Sequence, residues 1–154
     1  YALMASNSGR SITNTKLLVV SVLEQMETLR DTRNLTFGQI ANAGQVDNTG
    51  ADTSFAGFPT TSQPVSTNPG PDGIWGTSDD LVAPGADGLY GTADDVTDQS
   101  LAITGVTRQV TITSLSSTLK RIQVTVSYSA NGGSAQQIVG VGYLNDDAHG
   151  NYVP

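Results

Sequence analysis

The sequence predicts an α+β fold: a long N-terminal amphipathic helix packed on an antiparallel β-meander of three to four strands, with a long Asp/Gly-rich loop between them. Three observations carry this expectation. Apolar residues recur at helical spacing over residues 1–33, the period changes to two after residue 101, and the stretch between follows neither period. A chain of 154 residues supports one core, so a single domain is expected, divided into helix 1–33, loop region 34–100 and sheet 101–145.

The helix comes first. From Ala2 to Arg33 there is no proline and only one glycine, Gly9. Ile12, Val19, Val22, Leu23, Met26 and Leu29 form a stripe, while Glu24, Glu27, Thr28 and Asp31 fall on the opposite face. One side is set to meet a partner layer and the other to meet water. The less regular segment Tyr1 to Ile12 is expected to project from the body.

The middle segment changes character. Five of the six prolines lie between Asn34 and Ser100, and no Lys or Arg occurs between Arg33 and Arg108. So long a stretch without periodicity is expected to be disordered or held by something other than a core.

The sheet follows. Val106, Arg108, Val110 and Ile112 alternate with Thr107, Gln109 and Thr111, and Ile122, Val124, Val126 and Tyr128 alternate with Arg121, Gln123, Thr125 and Ser127. Asn131, Gly132 and Gly133 tolerate positive φ and supply a turn, after which Ile138 to Leu144 provides a third strand.

Composition excludes several function classes. Charged residues make up only 14% of the chain, and the abundant uncharged polar residues suit a surface or secreted protein. Cysteine is absent, which removes disulfides and thiolate metal sites. A net charge of −7 offers no basic surface for phosphates, so nucleic acid is not an expected partner. No apolar run approaches the roughly 20 residues of a membrane span. The start at Tyr1, without Met or a signal peptide, is expected to be a processing boundary. The single histidine, His149, lies in the polar segment NDDAHGNYVP beside Asp146 and Asp147. No nucleophile turn accompanies it, so no enzyme activity is expected. A nucleotide-binding glycine motif is also missing.

The middle contains a repeat. Residues 69–82 read PGPDGIWGTSDDLV and residues 84–97 read PGADGLYGTADDVT, sharing PGxDGxxGTxDD at an offset of fifteen. Each copy has one aspartate before a glycine (Asp72, Asp87) and an adjacent pair seven residues later (Asp79 with Asp80, Asp94 with Asp95), and Asp98 follows. Carboxylates crowded together without a basic residue repel one another, and a bound cation relieves the conflict. Oxygen-only donors with no His or Cys select a hard ion, and Ca²⁺ suits a loop better than Mg²⁺, which demands strict octahedral geometry. Asp72, Asp79, Asp80, Asp87, Asp94, Asp95 and Asp98 are therefore candidate ligands for one or two calcium ions. The standard EF-hand pattern is not met, because Asn68 and Gly70 stand where acids are required. The competing possibility is a solvated acidic loop with two tandem turns. DGxxGTxDD resembles the Asp- and Gly-rich calcium repeats of bacterial surface proteins. That resemblance implies ligands from the aspartates of both copies, with backbone carbonyls near Trp75 and Tyr90 completing the shell.

Two further segments carry a family resemblance. YALMASNSGRSITNTKLLVVSVLEQMETLRDTRNLTFGQI resembles the part of a type IV pilin-like protein that follows its membrane-embedded start, as in minor pilins and type II secretion pseudopilins. TRQVTITSLSSTLKRIQVTVSYSANGGSAQQIVGVGYL looks like the sheet of those proteins. The GFTLIE-like processing site and the first apolar half of the helix are not in this sequence. The resemblance implies a pilus or pseudopilus subunit that meets other subunits through its N-terminal helix. It further implies a membrane anchor upstream of Tyr1 before assembly, and a place in a periplasmic or cell-surface filament. A calcium-dependent adhesin or carbohydrate-binding module, with Trp75 or Tyr90 stacked on a sugar, is the alternative. A fragment of a larger secreted repeat protein, with the helix as an interdomain rod, is a third.

Overall fold

The computed structural model describes residues 8–129 and 135–146, with side chains from Asn14 onward. The element order is helix α1 (Ser8–Asp31), then strands β1 (Gln63–Ser66), β2 (Val82–Ala83), β3 (Val96–Thr97), β4 (Ala102–Ser116), β5 (Leu119–Ser129) and β6 (Ala135–Asn145). β1, β4, β5 and β6 form one antiparallel sheet in that spatial order, and β2 pairs with β3 in a small second sheet.

Along α1, Thr15, Leu18, Val19, Val22, Met26 and Leu29 are buried while Lys16, Leu17, Val20, Glu24 and Glu27 face outward. The buried stripe lies across β5 and β6. Gly140 and Gly142 of β6 let the helix come close, because a Cβ at Gly140 would overlap Val19 Cγ1 and one at Gly142 would stand 3.0 Å from Leu23 Cδ2. α1 stops where Arg33 takes a left-handed conformation (φ 61°). The Leu35 N–H then returns to the Leu29 carbonyl at 3.2 Å, and Leu35 itself is buried.

The expected balance of the fold is corrected in favour of sheet. In place of a long helix on a small three- to four-stranded meander, strand residues outnumber those of α1 among the described residues, and of β4, β5 and β6 two run to eleven residues and the other to fifteen. The region 34–100, expected to be loop, supplies β1, β2 and β3. It also reaches the core, where Leu35, Ile40, Phe58, Val65 and Ile74 are buried among Met26, Val124 and Val126. Apart from Val65 on β1, these residues enter singly from irregular segments, so they leave no period in the sequence, and β1 is recruited by pairing with distant β4. Beyond Gln63, where β1 begins opposite Arg108, the side chain of Asn42 continues the pairing along β4: its amide donates to Val110 O at 2.8 Å and accepts from Ile112 N at 2.7 Å. Lys120, buried on β5, donates to the carbonyls of Phe37 and Ile40 and lies over the Phe37 ring, closing the 34–42 turn onto the sheet.

The alternation from Val106 to Ile112 and from Ile122 to Tyr128 lies within β4 and β5, with Val106, Arg108, Val110, Ile122, Val124, Val126 and Tyr128 buried. The turn expected at Asn131 to Gly133, the projection of Tyr1 to Ile12 in its side chains, and His149 with Asp147 lie outside the described residues.

Candidate metal centre

Both repeats fold as the same turn. In the first, Asp72 N–H donates to Asp79 Oδ2 at 3.1 Å, Ile74 N–H to Asp72 Oδ1 at 2.8 Å and Gly76 N–H to Asp80 Oδ2 at 2.7 Å. In the second, Asp87 N–H donates to Asp94 Oδ2 at 3.0 Å, Leu89 N–H to Asp87 Oδ1 at 2.8 Å and Gly91 N–H to Asp95 Oδ2 at 2.7 Å. Each side-chain carboxylate organises backbone of its own repeat, which is why the aspartates recur at fixed spacing. Gly70 and Gly85 are required at their positions. They take φ of 74° and 72°, and a Cβ there would overlap the carbonyl oxygens of Asp79 and Asp94 respectively.

A threonine hydroxyl stands at the centre of each turn. Thr77 Oγ1 lies 3.0 Å from Ile74 O, 2.7 Å from Asp79 Oδ1 and 3.0 Å from Asp80 Oδ1. Thr92 Oγ1 lies 3.0 Å from Leu89 O, 2.6 Å from Asp94 Oδ1 and 3.3 Å from Asp95 Oδ1. A hydroxyl has one proton and satisfies one acceptor fully. The remaining oxygens face one another with more lone pairs than protons, a surplus that a carboxyl proton or a cation relieves.

The surroundings of the two turns differ. The first is seated on the body: Gln25 of α1 accepts from Trp75 N–H and donates to Trp75 O, both at 2.9 Å, and Ser66 of β1 donates to Asp80 O at 2.9 Å. Ile74 is buried in the core. The second stands further out, closed at its base by the β2–β3 pair and joined to the first by Asn68 Nδ2 donating to Tyr90 Oη at 2.9 Å.

Carboxylate oxygens of Asp72, Asp79 and Asp80 lie within 4.8 Å of one another, the grouping of possible metal ligands among the described residues. Burial pushes Asp80 up to about 6, against the opposing effects of the Gly76 N–H, Thr77 and Arg108. Burial likewise raises Asp72, and the Asp79 charge adds to the rise. In the second turn Asp94 is held below the ordinary carboxylate range by the Thr92 hydroxyl and the Asp87 N–H. Asp98 lies apart from both sets. It caps the short turn Gln99–Leu101, accepting from Ser100 N–H at 3.0 Å and Ser100 Oγ at 2.6 Å, and these bonds lower its pKa.

The repeat is not without a basic neighbour, because Arg108 of β4 is brought to Asp80, with Nη2 3.9 Å from Oδ2 and both side chains buried. Alternation had already put Arg108 on the inward face with Val106 and Val110, and an arginine at such a position signals a buried anionic partner. Asp80, held by Gly76 and Thr77 and facing Arg108, anchors the turn. Asp72 and Asp79 are the more open oxygen donors. Of the backbone carbonyls near Trp75, that of Ile74 lies beside the oxygen cluster, while that of Trp75 itself accepts from Gln25.

Comparison of the chain with protein-family models, with curated proteins and with solved structures gave no match.

Proposed function

We propose that the chain is a non-enzymatic structural or assembly subunit of a type IV pilus or pseudopilus filament, located at the cell surface or in the periplasm, with one or two Ca²⁺ ions stabilising its Asp/Gly loop. The observation that carries the calcium part is the cluster of carboxylate oxygens of Asp72, Asp79 and Asp80 in the first turn, whose six side-chain hydrogen bonds recur in the more exposed second turn. The second turn repeats the bonding pattern, but its aspartates do not form the same close group of three. All the donors are oxygens, which suits a hard ion with flexible coordination. The first turn joins α1, β1 and β4, so ion binding there adds to folding free energy.

The filament part is supported by α1, which buries one face on the sheet and leaves Leu17 and Val20 exposed on the other, a surface suited to neighbouring subunits. Among the described residues no helix is long and apolar enough to cross a membrane. The coding sequence upstream of the Tyr1 codon tests this part. An apolar helical segment led by a prepilin-peptidase site is expected, and a different preceding domain would refute the filament assignment.

A second reading, a calcium-dependent adhesin or carbohydrate-binding module, is favoured by one observation. Trp75 and Tyr90 are 37% and 38% exposed, beside the acidic turns. Trp75 also borders a groove of about 390 Å³ between α1, β1 and the first turn, lined by Leu18, Val22, Val65 and Ile103. Glycan binding that needs calcium and is lost in Trp75→Ala or Tyr90→Ala would favour this reading; no glycan binding would leave the filament role.

A further inference from the structure

The two edges of the main sheet are built differently. β1, at one edge, has four residues, contains Pro64 and is bulged between Pro64 and Ser66. β6, at the other, has eleven residues and stays in unbroken register with β5 from Leu119↔Asn145 to Ser129↔Ala135. It contains neither a charged residue nor a proline. An open edge presents unpaired N–H and C=O groups, and proteins blunt it with shortness, proline, bulges or charge. β1 has three of these devices and β6 none. Among the described residues no strand pairs with the outer side of β6.

The side chains of β6 follow the same logic. Gly140, Gly142 and Leu144 face α1, whereas Val139, Val141 and Tyr143 point to the opposite face of the sheet and are 53%, 41% and 60% exposed. Backbone groups along this edge can exchange their hydrogen bonds to water for those of an added strand, so the occupant they suit is a strand. A second copy of β6 fits, because the strand is complementary to itself: an antiparallel pair centred on Gly140 sets Val139 against the second copy's Val141, and Tyr143 against its Gln137.

Charge permits the association despite the net −7. Seven of the 14 acidic residues lie in the loop at 69–98, and its first turn is fastened to the β1 side of the sheet through Ser66 and Arg108. Three strand spacings, about 14 Å, separate β1 from β6. That exceeds the Debye length of about 8 Å at physiological salt, so the acidic loops of two copies joined at β6 would be screened from each other.

We propose that β6 is the contact through which two copies of this chain associate, forming one continuous sheet with four strands from each. Contact through β6 is independent of bound calcium and distinct from the outward face of α1.

Sedimentation equilibrium of the chain from micromolar to near-millimolar concentration, in calcium and in chelator, tests the association. A reversible dimer is expected, weakened by an order of magnitude or more in Val141→Lys with an unchanged melting temperature. Val139→Thr, a milder change at the same edge, keeps the test valid if the lysine variant melts early. Since the chain has no cysteine, Val139→Cys and Val141→Cys chains report the register: mixed and oxidised, they should cross-link to each other more readily than either does to itself. A wild-type monomer at every concentration would overturn the proposal, and is the result if a foreign strand or residues 147–154 occupy this edge. A dimer indifferent to substitution at 139 and 141, or cross-linking without the mixed preference, would overturn it equally.

Discussion

Gly70 and Gly73 both take left-handed backbone, at φ 74° and 70°, yet they differ in what surrounds them. A Cβ at Gly73 meets nothing within 4 Å, whereas one at Gly70 overlaps the Asp79 carbonyl. Gly73→Ala should therefore cost only the conformational penalty, about 1–2 kcal/mol, while Gly70→Ala should also displace Asp79 and abolish binding at the first turn. Denaturant melts with a calcium titration on both variants check this, and equal effects would contradict it. The glycines and aspartates of the repeat were legible in the sequence as a pattern. The role of Thr77 and Thr92 was not, although GT recurs in both copies, because a threonine's place among three acceptors appears only once the turn is closed.

Protonation at the same site sets an expected pH dependence. Asp80 ionises at 3.8 when unfolded and at about 6 when folded, so its contribution to stability is complete below the lower value and is lost as pH rises through the upper one. Asp72 shifts in the same direction. Asp47, Asp94 and Asp98 are lowered, so their contributions are lost only on acidification below the ordinary carboxylate range, outside that window. In chelator the chain should melt lower at about pH 7 than at about pH 5. With calcium the ionised carboxylates are the ligands, and the order should reverse.

At the scale of elements, the union of α1 with β6 depends on two glycines. Gly140→Ala forces Val19 aside in a packed layer and should cost about 1–3 kcal/mol, read as a lowered denaturation midpoint. An unchanged midpoint would mean that the helix lies further from β6. The helix stripe and the alternation of β4 and β5 were legible because each buries one continuous face, which imposes a period. β1 was not, since Gln63, Pro64, Val65 and Ser66 are too few to show alternation and owe their strand geometry to β4. Asn42 was equally silent: its value lies in reaching Val110 and Ile112, 68 and 70 residues away in sequence.

For the molecule as a whole, the segment 34–100 is neither a free loop nor a core. Its first half joins the body through Leu35, Ile40, Phe58 and Val65. Its second half has few apolar residues, and is fastened chiefly by Ile74, Gln25, Ser66 and the Arg108–Asp80 pair. The first repeat is the joint between the acidic loop and the helix–sheet body, and an ion there should tighten the entire chain, whereas one in the outer repeat should order chiefly its own turn. Calorimetric titration with Ca²⁺, paired with thermal melting in calcium and in chelator, should be made on the chain, on Asp79→Ala and on Asp94→Ala. Saturable binding that raises the melting temperature is expected, with Asp79→Ala losing most of the rise and Asp94→Ala losing binding at the outer turn but little of the rise. No saturable binding, or a melting temperature that calcium leaves unchanged, would contradict a calcium-stabilised loop and leave both repeats as acidic turns.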